Sequence, residues 1–230
     1  MRYIFINHAM PHETENILSR FGCCIRIQPL ASLPAPTAAH PDMQIARLGD
    51  KLIVHEENHA LISFLREKNI PFSAEQAAAG AVYPFDVLLN CFEFSGRFFC
   101  SEYTSQTAYA TARSAGLIPV KTKQGYAKCS CLIAGNIIIT ADSAIARACK
   151  ANGAEHLLIS EGHIGIDEYD YGFIGGASGV IEDNVIFFGN ISHHPDGEKI
   201  KEAILSQNMN IITAAETELF DYGGIITIEI

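Results

Sequence analysis

A thiol beside a cation is the first feature of this chain that could do chemistry. Lys128 precedes Cys129, and a neighbouring ammonium lowers a thiol's pKa toward the thiolate, the form that attacks carbon. Such a nucleophile needs a base. His194, with His8 as a second choice, follows an apolar run that would hold one in place. The catalytic candidates are therefore Cys129 and His194. Strand geometry argues the other way for the thiol, because successive side chains alternate between faces and Lys128 and Cys129 would point apart. That alternation favours a packed, structural Cys129.

Carboxylates and amides form a second set. Asp42, Asn90, Tyr126, Lys128, Ser178 and Asp221 each stand near the start of an apolar, β-type run. If those runs converge, oxygen-rich side chains gather around a ligand, an arrangement that suits an ammonium or guanidinium group. These are the candidate substrate-binding residues, and Asp42 and Asp221 are the expected grips on a small cationic ligand.

Other motifs carry less. Cys129-Ser130-Cys131 offers two sulfurs but no second Cys/His pair at ligand spacing, so no metal and no cofactor is expected. The glycine-rich stretch from Gly172 to Gly179 leads into a hairpin pattern and not into a helix N-terminus, which points to close backbone packing and away from a phosphate loop. His40-Pro41-Asp42 and His194-Pro195-Asp196 repeat a tripeptide in different contexts. The first opens a strand and the second a helix, and only Asp42 is expected in a pocket. Asp167-Glu168-Tyr169-Asp170 lacks calcium-loop spacing and is expected to be a solvated connection.

The elements that must position these residues repeat along the chain. Five amphipathic stretches end at Gly or Asn, residues that tolerate the left-handed cap: Pro11 to Gly22, Asn58 to Asn69, Thr104 to Gly116, Asp142 to Gly153 and Asp196 to Asn208. Asn58, Thr104, Asp142 and Asp196 suit the N-cap. A short β-type run follows each cap. Two apolar runs around a tight turn precede each of the last four helices, with turns at Gly49-Asp50, Ser95-Gly96, Gly135-Asn136 and Asp183-Asn184.

The first helix has a single strand before it, Tyr3 to Asn7, and the chain ends on an unpaired one, Gly224 to Ile230. Pairing the two completes the first unit. The expected fold is α/β, a five-fold pseudosymmetric propeller of hairpin–helix–strand units in one domain, residues 1–230, with no exposed sheet edge. A flavodoxin-like or Rossmann sheet would show single strands between helices and is set aside.

Composition sets outer bounds. With 48% hydrophobic and 18% charged residues, the 230-residue chain has an ordinary globular balance and length enough for a substantial core. The formal net charge of -10 argues against nucleic acid, whose phosphates need a basic footprint. No apolar run approaches membrane-spanning length, and the N-terminus lacks signal-peptide features. Seven cysteines, several inside apolar runs, fit a reducing compartment, so a cytoplasmic location is expected.

Five hairpin–helix–strand units with a split first unit resemble the pentein superfamily of guanidino-group-modifying enzymes. That group includes arginine and agmatine deiminases, amidinotransferases and dimethylarginine hydrolases, and also a ribosome anti-association factor that has the fold without the chemistry. The segments His40 to Gln44, Lys123 to Ser130, Gly172 to Gly176 and Asp221 to Gly224 resemble an uncharacterised bacterial branch of it. The resemblance implies a cysteine nucleophile at the start of the C-terminal strand, a histidine opening the fourth hairpin and acidic residues gripping the guanidinium. Asp42 matches an acidic grip. Gly224, Ile225 and Ile226 stand where the cysteine belongs, and Tyr126 where the histidine belongs. Three functions follow as expectations. The first is a binder of a small cationic or guanidino-like molecule without the usual Cys-His chemistry. The second is a divergent amidinohydrolase-like enzyme using Cys129 or a water held by His194, and the third a non-catalytic interaction module.

Overall fold

The computed structural model describes residues 1–230 and contains five small sheets of three strands each. The chain opens with β1 (Arg2–Asn7), α1 (His12–Leu18) and β2 (Cys23–Ile27). After α2 (Pro41–Gln44), the second sheet is built from β3 (Ile45–Leu48), β4 (Lys51–His55), α3 (His59–Glu67) and β5 (Phe72–Glu75). The third uses β6 (Phe92–Phe94), β7 (Arg97–Cys100), α4 (Gln106–Ser114) and β8 (Ile118–Lys121). The fourth uses β9 (Cys131–Ala134), β10 (Ile137–Thr140), α5 (Ser143–Ala151) and β11 (His156–Leu158). The fifth uses β12 (Ser178–Ile181), β13 (Asn184–Phe187), α6 (Gly197–Ser206) and β14 (Asn210–Thr213), and the chain ends on β15 (Ile226–Glu229).

Pairing is the same in every sheet. A first strand runs antiparallel to a second, and the second runs parallel to a third across the helix. In the first sheet β15 takes the first-strand place, antiparallel to β1 from Arg2↔Glu229 to Phe5↔Ile226. The terminal strand thus completes the opening unit, as its sequence implied.

Local chemistry explains the boundaries. Asn58 Oδ1 accepts from the Leu61 amide at 3.1 Å, and Asp142 Oδ1 accepts from Ala144 and Ile145 at 2.7 and 2.8 Å. At α4 the cap is Ser105 and not Thr104, whose hydroxyl accepts from the Ser101 amide instead. Asp196 stands at the N-cap of α6, but its carboxylate accepts from Ser160 N at 2.8 Å and makes no cap bond. The left-handed exits fall at Asn69, Gly116, Gly153 and Asn208. Helix α1 departs from this scheme: it ends at Leu18, and Gly22 is glycine because a side chain there would press on the Arg2 carbonyl. The last hairpin turns at Glu182-Asp183, one residue earlier than its Asp-Asn pair suggested, since Ile181 pairs with Asn184.

The core explains why the strands read as nearly continuous apolar runs. Side chains alternate across each strand, and both faces are covered. On β1, Tyr3 and Phe5 pack with the second sheet and α3, while Ile4 and Ile6 pack with the fifth sheet and α1. On β7, Phe98 joins the second sheet and α4, and Phe99 joins the fourth sheet and α5. The fourth and fifth sheets share the largest cluster, sealed by Ile200 and Ile204 of α6. No helix is long and apolar enough to cross a membrane.

Candidate functional site

Two openings lie at opposite ends of the first strands. At the hairpin-turn end, an open cavity of about 590 Å³ runs between β3, β6, β9, β12 and β15, with Arg47, Glu93, Lys128, Ser178 and Thr227 among its walls. At the other end, the segments that lead into those strands enclose a smaller cavity of about 250 Å³. It is lined by Thr37, His40, Met43, Tyr126, Cys129, Ile166, Tyr169, Asp170, Tyr171, Phe173 and Asp221. His40, Ile166 and Asp221 also wall an adjoining space of about 200 Å³ that includes His8, Asp167 and Glu168.

Asp42 lines neither cavity; it is buried beside Cys129, which lines the smaller one. Pro41, suited to a first helical turn, starts the short helix α2, so Asp42 and Gln44 sit on that helix and not on the strand expected from the sequence. The Asp42 side chain is 1% exposed, and neither carboxylate oxygen has a hydrogen-bond partner. Burial raises its pKa to about 7, against the pull of the Lys128 ammonium and with a further push from Asp221. The Cys129 thiol is its neighbour but makes no well-formed hydrogen bond to it.

Asn90 ties this region together. Its Nδ2 donates to the Asp42 carbonyl at 3.2 Å and to Cys129 Sγ at 2.8 Å, and its Oδ1 accepts from the amides of Lys128 and Cys129 at 2.7 and 3.1 Å. The side chain is fully engaged within the protein. It joins the second, third and fourth units just before their first strands. Gln44 does similar work, donating to the carbonyls of Gln28 and Ala38.

Asp221 is equally committed. Its Oδ2 accepts from Phe173 N at 2.8 Å and its Oδ1 from Gly223 N at 2.9 Å, with His40 Nδ1 at 3.7 Å. Burial lowers the His40 pKa, opposed by Asp221 and Asp167. Gly176 must be glycine here, because a Cβ would overlap the Asp221 carboxylate. The glycines of this stretch therefore serve close packing, as their context implied.

Tyr126 donates its hydroxyl to Asp86 Oδ2, and burial, followed by that bond, raises the tyrosine's pKa. Lys128 lines the larger cavity while Cys129 lines the smaller one; the two lie in a turn before β9 and not on the strand the sequence suggested, so the turn and not strand alternation separates them. Burial, reinforced by Asp42 and Asp221, pushes the Cys129 thiol well above its ordinary range. Ser178 lies in the larger cavity and donates to the Ile174 carbonyl at 2.6 Å.

The candidates thus divide. Tyr126, Cys129 and Asp221 line the smaller cavity, with Asp42 and Asn90 buried against Cys129, and Lys128 and Ser178 line the larger one. His194 joins neither. Its ring packs on His163 with centroids 5.4 Å apart, and its Nδ1 accepts from Asp196 N at 3.1 Å. Neither contact involves Cys129, whose sulfur accepts from Asn90. Sequence reasoning missed His40, since only Asp42 of its tripeptide was expected in a pocket, and the aromatic wall of Tyr169, Tyr171 and Phe173. The loop from Asp167 to Asp170 is exposed, as a solvated connection should be, yet Tyr169 and Asp170 also face the cavity. The clustering of three aromatics in five residues beside a glycine stretch was the available signal.

Similar solved structures include a dimethylarginine dimethylaminohydrolase (DDAH) from Pseudomonas aeruginosa, a mutant complexed with citrulline. It shows 10% identity over 92% of this chain and 91% of that one, at a TM-score of 0.58. The cyanobacterial arginine dihydrolase ArgZ gives 8% identity and a TM-score of 0.57, covering 92% of this chain and 36% of its own. The amidinotransferase SxtG from Microseira wollei, of a saxitoxin biosynthetic pathway, gives 10% and 0.54, covering 95% and 80%. These are pentein-fold proteins, and at such identities the likeness speaks for the fold alone. No curated protein matches the sequence. A family model described as a family of unknown function (DUF6873) matches residues 5–226, nearly the whole chain, and the protein belongs to that family and has the pentein fold.

Proposed function

We propose that this protein binds a small organic cation in the smaller cavity, without the cysteine–histidine chemistry of its structural relatives. One observation carries the reading: a carboxylate buried to 1% exposure, with both oxygens lacking a hydrogen-bond partner, beside Cys129, which lines a cavity that presents Asp221 and Asp170. A buried carboxylate in that condition is costly, and the pull of the Lys128 ammonium leaves its pKa still raised, so a further positive charge nearby would stabilise it. The adjoining space beside Asp167 and Glu168 gives a longer ligand room for a second positive group.

The five sheets share their cores in succession, including the fifth with the first, which supports a ring closed around the first strands. In such a ring the two cavities are the two mouths of one axial channel. The relatives' catalytic apparatus has no counterpart here. Gly223 and Gly224 have φ of 78° and 63°, and a Cβ at Gly223 would overlap His40. A buried thiol with a raised pKa is a poor nucleophile, which weighs against Cys129 as a substitute. All seven cysteines are free, in keeping with a reducing, cytoplasmic setting.

Thermal-shift measurement against arginine, agmatine and simple alkylamines tests the reading. A concentration-dependent rise in Tm is expected for at least one cation, and it is lost in Asp42→Asn. No rise with any of them overturns it.

A further inference from the structure

The smaller cavity is walled by rings more than by free hydrogen-bond acceptors, and this separates one class of cation from another. Phe173 lies 6.0 Å from Tyr126 at an interplanar angle of 33°, and 6.3 Å from Tyr171 at 88°. Tyr169 lines the same space. The rings therefore stand in different planes around one volume, and Tyr126 is pinned by its bond to Asp86.

The polar atoms in the same wall are mostly spent. The Thr37 hydroxyl turns to the Pro34 carbonyl, and both Asp221 oxygens accept backbone amides. Asp170 is the one lining carboxylate with neither oxygen so engaged. A guanidinium carries five N–H donors in one plane, each wanting an acceptor. A quaternary ammonium has no donors. Its charge is spread over a shell of methyl groups that needs aromatic faces and nearby negative charge. Those are what this cavity supplies, with Asp170 at the wall and Asp42 buried beside Cys129 of that wall.

We infer, resting on the cation-binding reading above, that the site takes a quaternary ammonium group in preference to a guanidinium. The experiment is calorimetric titration of the full chain with choline, with agmatine, and with 3,3-dimethylbutan-1-ol, which copies choline's shape without its charge. Choline is expected to bind saturably, on the order of tenfold tighter than either of the others. Phe173→Leu and Tyr171→Leu keep apolar bulk but remove the ring. Each should weaken choline several-fold while the circular dichroism spectrum is unchanged. Agmatine binding more tightly than choline overturns this inference but leaves the cation reading standing. Dimethylbutanol binding as tightly as choline overturns it too, since the cavity would then recognise shape alone. If no cation binds, both readings fall together.

Discussion

Asp42→Asn removes an ionisable group buried beside the site while keeping the side chain's shape, and its effect can be worked out with its sign. The native carboxyl has a pKa of about 7, against 3.8 for the unconstrained group, and burial is the main cause. Between those values the folded protein holds a proton that the unfolded chain has released. Stability from this group is therefore complete below 3.8, falls as pH rises through about 7, and then levels off. Each pH unit of that interval is worth about 1.4 kcal/mol, so ionised Asp42 costs the fold about 4 kcal/mol at pH values above about 8. Asparagine cannot ionise. Its own packing cost is the same at every pH and cancels in a comparison. The stability of Asp42→Asn minus that of the native protein should thus climb by about 4 kcal/mol between about pH 4 and about pH 8. Urea unfolding followed by circular dichroism at several pH values measures it. A difference that stays flat across that range would refute the reasoning, because the carboxylate would then be solvated or already neutralised.

Three further outcomes are expected. Native protein treated with a thiol reagent near pH 8 should label the exposed Cys23 first, while Cys129, buried and with a raised pKa, reacts only on unfolding; rapid native labelling of Cys129 would reopen the nucleophile reading. Gly224→Cys places a thiol where the family resemblance implies one. It should instead destabilise by more than about 2 kcal/mol through the left-handed backbone and the close approach to the Gly175 carbonyl, and yield no turnover of arginine or agmatine. Phe99→Ala, which empties a fully buried site between the third and fourth sheets, should cost about 3–5 kcal/mol in denaturant unfolding.

The repeat was legible because its punctuation is chemical. Asn69, Gly116, Gly153 and Asn208 take the left-handed backbone that their residue types permit, and Asn58 and Asp142 accept the first amides of their helices. Gly22 misled because glycine serves close approach as well as helix exits, and here it makes room for the Arg2 carbonyl. Thr104 and Ser105 offer equivalent hydroxyls, and only the tertiary path of the chain selects the second. At the site, Asp42, Cys129 and Asp221 converge because the segments leading into three first strands do, which follows from the repeat. The aromatic wall lies in a connection without periodicity, so its direction depends on contacts made far away in sequence, such as Phe173 N to Asp221. His194 was misplaced for a related reason. It follows a second strand, but it sits past the turn at Asn190, packs on His163 and lines neither cavity.

The central claim is that a buried, unpartnered carboxylate awaits a cation. The most direct test is the titration of the Asp42 carboxyl carbon by NMR, with and without saturating choline or agmatine. The account predicts an apparent pKa near 7 in the free protein, falling by about one pH unit or more once a cation is bound, since a nearby positive charge favours the ionised form. A titration curve unmoved by either cation, or one already near the ordinary carboxylate value in the free protein, would contradict it.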